Sequence, residues 1–290
     1  MPVFKRTYNA GGFRINVLTN ESYFIKLLDN CLRVALTKTK TNGVFSVTLK
    51  ILDKPLTIAP GKNNKNIVHF GNSIIDIPQR IIYSYYPSFP AAEEAVILLN
   101  PLWCLLLYLD YYPLHGALIK SGNDFLAFFG PSGSGKSTLS SASCMYGFSL
   151  ICDDYFFVKN TEKTIKILPF TKVVKVRNIH NKSPLNLDSL KISLKQAFFL
   201  AKRLVIIFPK YSLKKRMRLC PISNKHGVLN LMGDNFFLKT GQPDNKKIRI
   251  RMLDFIFQLG KKSSFYELVY NDSNIFSGGL QALDDIKKQS

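Results

Sequence analysis

The chain has 290 residues, 46% of them hydrophobic, enough for a packed core in one large domain or in one domain with a small partner. Lys and Arg number 40 against 19 Asp and Glu, a net charge of +21, and residues 161–290 hold 25 of the basic side chains and 9 of the acidic ones. Such a field favours anionic partners (nucleotide, acidic peptide, nucleic acid, membrane surface), says nothing about fold, and is equally what a lysine-rich solvated surface produces.

The first twenty residues, MPVFKRTYNAGGFRINVLTN, are polar and interrupted, so no secretory signal is expected. Residues 1–90 read as β-rich, with predicted strands at Phe13 to Leu18, Leu32 to Leu36, Val44 to Leu52, Asn66 to Phe70 and Ile81 to Tyr85, separated by Gly, Asn, Lys and Pro. Tyr86-Pro87-Ser88-Phe89-Pro90 marks the expected boundary, giving a small β-rich domain, 1–90, and a second domain, 91–290. Glu93 and Glu94 begin a predicted helix that runs to Tyr108. Its apolar stretch AVILLNPLWCLLLYL is too short to cross a bilayer and holds Asn100 and Pro101, so a buried helix kinked at the proline is predicted, with no membrane span.

A strand from Leu114 to Lys120, a turn at Ser121 to Asp124 and a second strand, Phe125 to Phe129, follow. Next come GPSGSGKS, Gly130 to Ser137, and a predicted helix, Thr138 to Tyr146, ended by Gly147. Phe148 to Cys152 is a predicted strand finishing in Asp153-Asp154. Beyond it, Ile165 to Leu168, Val173 to Val176, Leu204 to Phe208 and Phe265 to Val269 read as strands. Leu187 to Leu200, Met252 to Leu259 and the end from Leu280 read as helices. Cys31, Cys104, Cys144, Cys152 and Cys220 are an odd number without a C-x-x-C pair, which reads as reduced thiols of a cytoplasmic protein with no zinc site.

Strand, glycine-rich turn and helix are the context a phosphate-binding loop requires. Gly130 and Gly135 let the backbone turn close to phosphates, and Gly133 adds a position without side-chain bulk. Lys136 suits the outer phosphates, the Ser137 hydroxyl suits a magnesium ion, and the helix N-terminus adds its positive end. The nucleotide-binding set is therefore Gly130, Ser132, Gly133, Ser134, Gly135, Lys136, Ser137 and Thr138. A strand ending in acid right after such a unit is where a magnesium carboxylate belongs. For Asp153-Asp154 the plain alternative is a solvated turn, and for His115 a satisfied histidine near the sheet.

Three pieces, Leu114-His115-Gly116-Ala117-Leu118-Ile119, the loop, and Leu150-Ile151-Cys152-Asp153-Asp154, together resemble the catalytic domain of HPr kinase/phosphorylase and of the related kinases of peptide-modification clusters, including those of lasso peptides. The resemblance covers about residues 114 to 154, with weaker echoes at Lys166 to Pro169 and Phe265 to Leu268. It implies an α/β fold: a P-loop core of the phosphoenolpyruvate-carboxykinase-like type with a mixed sheet. It also implies ATP and Mg2+ as cofactors, Asp153 as general base, His115 orienting or tuning it, and Asp154 with Ser137 holding the metal. The family's tendency to assemble implies a homo-oligomer. The chain departs from the family at Pro131, in lacking a Glu-x-Arg-Gly segment, and in an N-terminal part unlike the family's regulatory domain. HPr is therefore not the expected substrate, and without a counterpart of that segment no third metal carboxylate can be placed and the sequence does not decide whether a phosphorylase activity exists.

The function expected is an ATP-dependent kinase acting on serine of a peptide or protein, such as a ribosomally made precursor peptide. The alternative is a nucleotide-binding regulatory or assembly module without turnover. The basic residues Lys202, Arg203, Lys210, Lys214 to Arg216, Arg218, Lys246 to Arg251 and Arg177 offer cations for phosphates or an acidic substrate. Nucleic acid is not the expected partner, since only charge points to it and no aromatic-interleaved motif does.

Overall fold

The structure is a computed structural model that describes residues 3–10, 13–31, 46–55, 66–87, 98–153, 155–170, 198–213, 217–234, 246–271, 275 and 283. It is mixed α/β and divides into two compact units, Met1–Tyr111 and Tyr112–Ser290. The division therefore falls after residue 111 where the sequence suggested 90.

Among its described residues the first unit carries one six-stranded sheet, built from β1 (Phe4–Ala10), β2 (Phe13–Thr19), β3 (Ser46–Leu52), β4 (Ile67–Phe70), β5 (Ser73–Asp76) and β6 (Ile81–Tyr85). Its order is β1-β2-β3-β6-β5-β4, with the pairs β2–β3 and β3–β6 parallel. Strand β3 alternates buried Val47, Leu49 and Ile51 with more exposed neighbours, the period of a sheet with one covered face. Helix α1 (Ser22–Cys31) buries Phe24, Leu27 and Leu28, spaced at helical intervals, and links β2 toward its parallel neighbour. The sequence reading missed β1, α1 and β5, and its strand at Leu32 to Leu36 lies outside the described residues.

Helix α2 (Asn100–Tyr108) also belongs to this unit and buries every residue from Pro101 to Leu107. A kink at Pro101 would need the expected helix to continue back toward Glu93, and residues 91–97 lie outside the described residues. The helix starts at Asn100, so the proline lies in the first turn, where its missing N–H would have had no helical partner. Glu93 and Glu94 lie outside the described residues.

Among its described residues the second unit has a six-stranded and a four-stranded sheet. The larger runs β10 (Ser149–Cys152), β8 (Ala117–Ser121), β9 (Asp124–Phe128), β14 (Leu204–Tyr211), β16 (Ser263–Tyr270) and β15 (Arg218–Pro221). The pairs β9–β14 and β14–β16 are parallel and the rest antiparallel, so the sheet is mixed. The smaller runs β13 (Phe199–Ala201), β12 (Ile165–Pro169), β11 (Tyr155–Asn160) and β7 (Tyr112–His115). The single strand expected over Leu114 to Lys120 is thus two strands in two sheets, parting at Gly116. A Cβ there would lie 2.6 Å from the Phe128 carbonyl oxygen, so only glycine lets the chain cross this close to β9.

Along the larger sheet, side chains alternate between two faces. Leu126 and Phe128, Val205 and Ile207, Leu268 and Tyr270 form one face with Ala117 and Ile119, covered by Leu139 and Ala142 of α3 (Lys136–Cys144). On the other face Phe125 meets Phe199 of the smaller sheet, ring centroids 5.5 Å apart, and Phe265 meets Gly227 of α4 (Asn224–Asp234). Ser223 caps α4 by accepting the His226 N–H at 3.3 Å. Helix α5 (Lys246–Lys261) stacks Phe255 on Tyr112, 4.0 Å between centroids and 7° between planes. Strand β11, β15 and α4 had escaped the sequence reading, and its helix over Leu187 to Leu200 ends instead in β13, since Phe199 and Ala201 are buried and Leu200 exposed between them. Residues 173–176 and 187–197 lie outside the described residues. No helix among the described residues is long and apolar enough to cross a membrane.

Candidate functional site

Strands β9, β14 and β16 run parallel, and loop 130–135 leaves the C-terminal end of β9. That end of a parallel sheet is where ligands of open α/β folds sit. The loop leads straight into α3, which starts at Lys136, two residues before the sequence reading placed it, with Gly135 as its left-handed N-cap. Two glycines are required by geometry. Gly130 has φ +150°, and a Cβ there would press to 2.7 Å from the Ser134 Oγ; Gly135 has φ +89°, and a Cβ there would overlap the Tyr270 hydroxyl. The Ser134 N–H donates to the Pro131 carbonyl at 3.1 Å and closes the turn between them.

The Lys136 ammonium folds back over this turn and donates to the carbonyls of Gly130, at 2.7 Å, and Pro131, at 3.1 Å. The long side chain thus lies across the loop, where an outer phosphate would need its charge. The Ser134 Oγ is buried and has no hydrogen-bond partner, which is costly unless a ligand or water supplies one. Ser132 and Gly133 are exposed. In the first turn of α3, the N–H groups of Ser137 and Thr138 have no partner within the helix, as at every helix start.

Beneath the loop, Ser137 Oγ donates to Asp153 Oδ1 at 3.0 Å. Asp153 follows β10 and is only 1% exposed, so the solvated turn is excluded for it. Asp154 lies outside the described residues. His115 ends β7, pairs in register with Tyr155 of β11 and stacks on its ring, centroids 4.9 Å apart. The Tyr155 N–H in turn donates to the Asp153 carbonyl at 3.2 Å. The structure therefore joins Ser137 to Asp153 directly and places His115 against the residue two positions on from Asp153. Among the described residues no group of three or more His, Cys, Asp or Glu could hold a metal ion.

The sequence reading missed Tyr270, whose hydroxyl donates to the Ser134 carbonyl at 2.9 Å. Its predicted strand stopped at Val269, one residue short. Nothing local marks a tyrosine at a strand end as a partner of a loop so far back in the chain. Of the basic residues, Lys210 pairs with Glu267 at 3.4 Å on the surface, while Lys202, Arg218, Arg249 and Arg251 are exposed. Arg177 and residues 214–216 lie outside the described residues. Among the described residues Cys104, Cys144, Cys152 and Cys220 take part in no disulfide.

No family model matches the chain, and no curated protein matches it in sequence. Among solved structures it is similar to the Hpr(Ser) kinase/phosphatase from Coxiella burnetii, at 13% identity and a TM-score of 0.31, over 61% of this chain and 97% of that one. A likeness of that size leaves the function to be argued from the site itself.

Proposed function

We propose that the second unit is an ATP- and magnesium-dependent kinase that phosphorylates a serine hydroxyl of a peptide or protein. Its core would then be a P-loop core of the phosphoenolpyruvate-carboxykinase-like type, and a ribosomally made precursor peptide is the acceptor class that the sequence resemblance implies. One observation carries the reading: loop 130–135 sits at the end of parallel strands with Lys136 folded over it and with Ser137 bonded to Asp153 below. A phosphate fits these groups. It would meet the Lys136 ammonium, the Ser137 and Thr138 N–H groups that the helix itself does not use, and the buried Ser134 Oγ that otherwise lacks a partner.

The residues also fit magnesium, which keeps several waters and takes one or two carboxylates plus phosphate oxygens, without needing a cage of protein ligands. Ser137 and Asp153 would hold it, and its charge would offset that of the phosphates. Of the two neighbouring acids, Asp153 meets the Ser137 hydroxyl, and at 1% exposure it is poorly placed to meet an incoming hydroxyl. This supports Asp153 as the carboxylate on the metal and leaves the acceptor's proton to Asp154, the reverse of the division that the resemblance implies. In the transfer the serine oxygen bonds to the terminal phosphorus, the bond from that phosphorus to ADP breaks, and the hydroxyl proton passes to the carboxylate.

The test is transfer of labelled phosphate from ATP to a panel of serine-containing peptides. Lys136→Ala should lower it by on the order of a hundredfold or more, the loss expected when a charge-stabilising group is removed. Equal transfer by the wild type and the variant would refute the reading. The burial of Asp153 favours one alternative, a nucleotide-sensing module without turnover. Binding of ATP by a wild-type protein that phosphorylates none of the panel would support that alternative.

A further inference from the structure

We propose that Tyr270 is a positioning residue that holds the loop in its ligand-ready shape, an inference that rests on reading loop 130–135 as a nucleotide-phosphate site. The tyrosine is fixed before it touches the loop. It ends β16, is 4% exposed, accepts the Ser212 N–H on its backbone carbonyl at 2.8 Å, and takes the Tyr211 ring edge-on at 5.5 Å. From that place its hydroxyl donates to the Ser134 carbonyl oxygen at 2.9 Å.

The bond sets more than a distance. The peptide between Ser134 and Gly135 is planar and trans, so its C=O and N–H point in opposite directions. Holding the carbonyl against Tyr270 turns the Gly135 N–H away from the tyrosine. The ring also occupies the space that a Cβ at Gly135 would need, so it fixes both the orientation of this peptide and the residue allowed there. Ser134, whose carbonyl is held, also carries the buried hydroxyl without a partner. Tyr270 thus acts on two potential phosphate donors from a strand other than the one that carries the loop.

The test compares wild type, Tyr270→Phe and Lys136→Ala by calorimetric titration with ATP, inorganic tripolyphosphate and adenosine, and by amide hydrogen exchange without ligand. Phenylalanine keeps the ring and removes only the donor. Losing one neutral hydrogen bond should weaken ATP and tripolyphosphate binding about five- to tenfold. Adenosine binding should not change. Turnover should show a raised KM for ATP with kcat preserved at saturation, and exchange should quicken at loop amides while β16 amides keep their protection. A purely structural tyrosine would lower the melting temperature without this phosphate-specific pattern. If wild type binds ATP, Lys136→Ala does not, and Tyr270→Phe binds as wild type does with unchanged loop exchange, the positioning role is overturned while the nucleotide site stands. If wild type itself binds neither ATP nor tripolyphosphate, the nucleotide site fails and the inference falls with it.

Discussion

Gly135→Ala tests the loop geometry most directly, and its cost can be worked from two contributions. The backbone at this position has φ +89°, where a residue with a Cβ costs about 1–2 kcal/mol relative to glycine. The new methyl would also overlap the Tyr270 hydroxyl and lie 2.7 Å from its Cζ, and such overpacking costs about 1–3 kcal/mol. Together they come to about 2–5 kcal/mol. Part of this destabilises the unit, and part is relieved by the loop swinging off Tyr270, which breaks the bond to Ser134. Gly133→Ala is the control, because φ there is +85° but a Cβ would meet nothing within 4 Å. It should carry only the backbone cost of about 1–2 kcal/mol. Thermal unfolding should therefore place Gly135→Ala below Gly133→Ala by about 2–12 °C, at about 2–4 °C per kcal/mol for a unit of this size. Nucleotide titration should show the larger loss of ATP affinity in Gly135→Ala. Equal melting temperatures and equal affinities for the two variants would refute the claim that Tyr270 closes that side of the loop.

The two acids after β10 should fail differently: Asp153→Asn should raise the magnesium concentration needed for half-maximal transfer, whereas Asp154→Asn should lower turnover with magnesium dependence intact. The opposite pattern in a magnesium titration would restore Asp153 as the base. Gly227→Ala should destabilise the second unit by up to about 2 kcal/mol in urea unfolding, because its Cβ would run into the Phe265 ring and overpacking outweighs the helix propensity gained from alanine; a more stable variant would show that the ring yields freely. Burial pushes the Cys104 thiol up to about 12 from 9.0. Below pH 9 the thiol is protonated whether folded or not and adds no pH dependence, but from about pH 9 to 12 only the unfolded chain releases the proton, so stability falls as pH rises. Urea midpoints of wild type measured across that window should drop more steeply than those of Cys104→Ala, and parallel curves would rule the thiol out as a cause.

The local frame of the candidate site could be read from residues close together in the chain. The glycines of the loop, the apolar strand before it and the helix after it are set by local torsions and short-range periodicity. Those rules hold before any tertiary contact forms, and β9, loop 130–135 and α3 lie where they point. Tertiary structure decided what the sequence could only list. Two adjacent acids are equivalent on paper, and the fold turns Asp153 toward Ser137 by the way β10 ends beneath α3. A continuous apolar run over Leu114 to Lys120 reads as one strand, yet it changes sheets at Gly116 because the Phe128 carbonyl passes too close for a side chain. Tyr270 looks like any aromatic residue ending a buried strand until β14 and β16 pair and bring it up against Ser134. Local conformation follows from a few neighbouring residues. A close approach between distant segments depends on the register and packing of every strand between them, which no stretch of the chain encodes by itself.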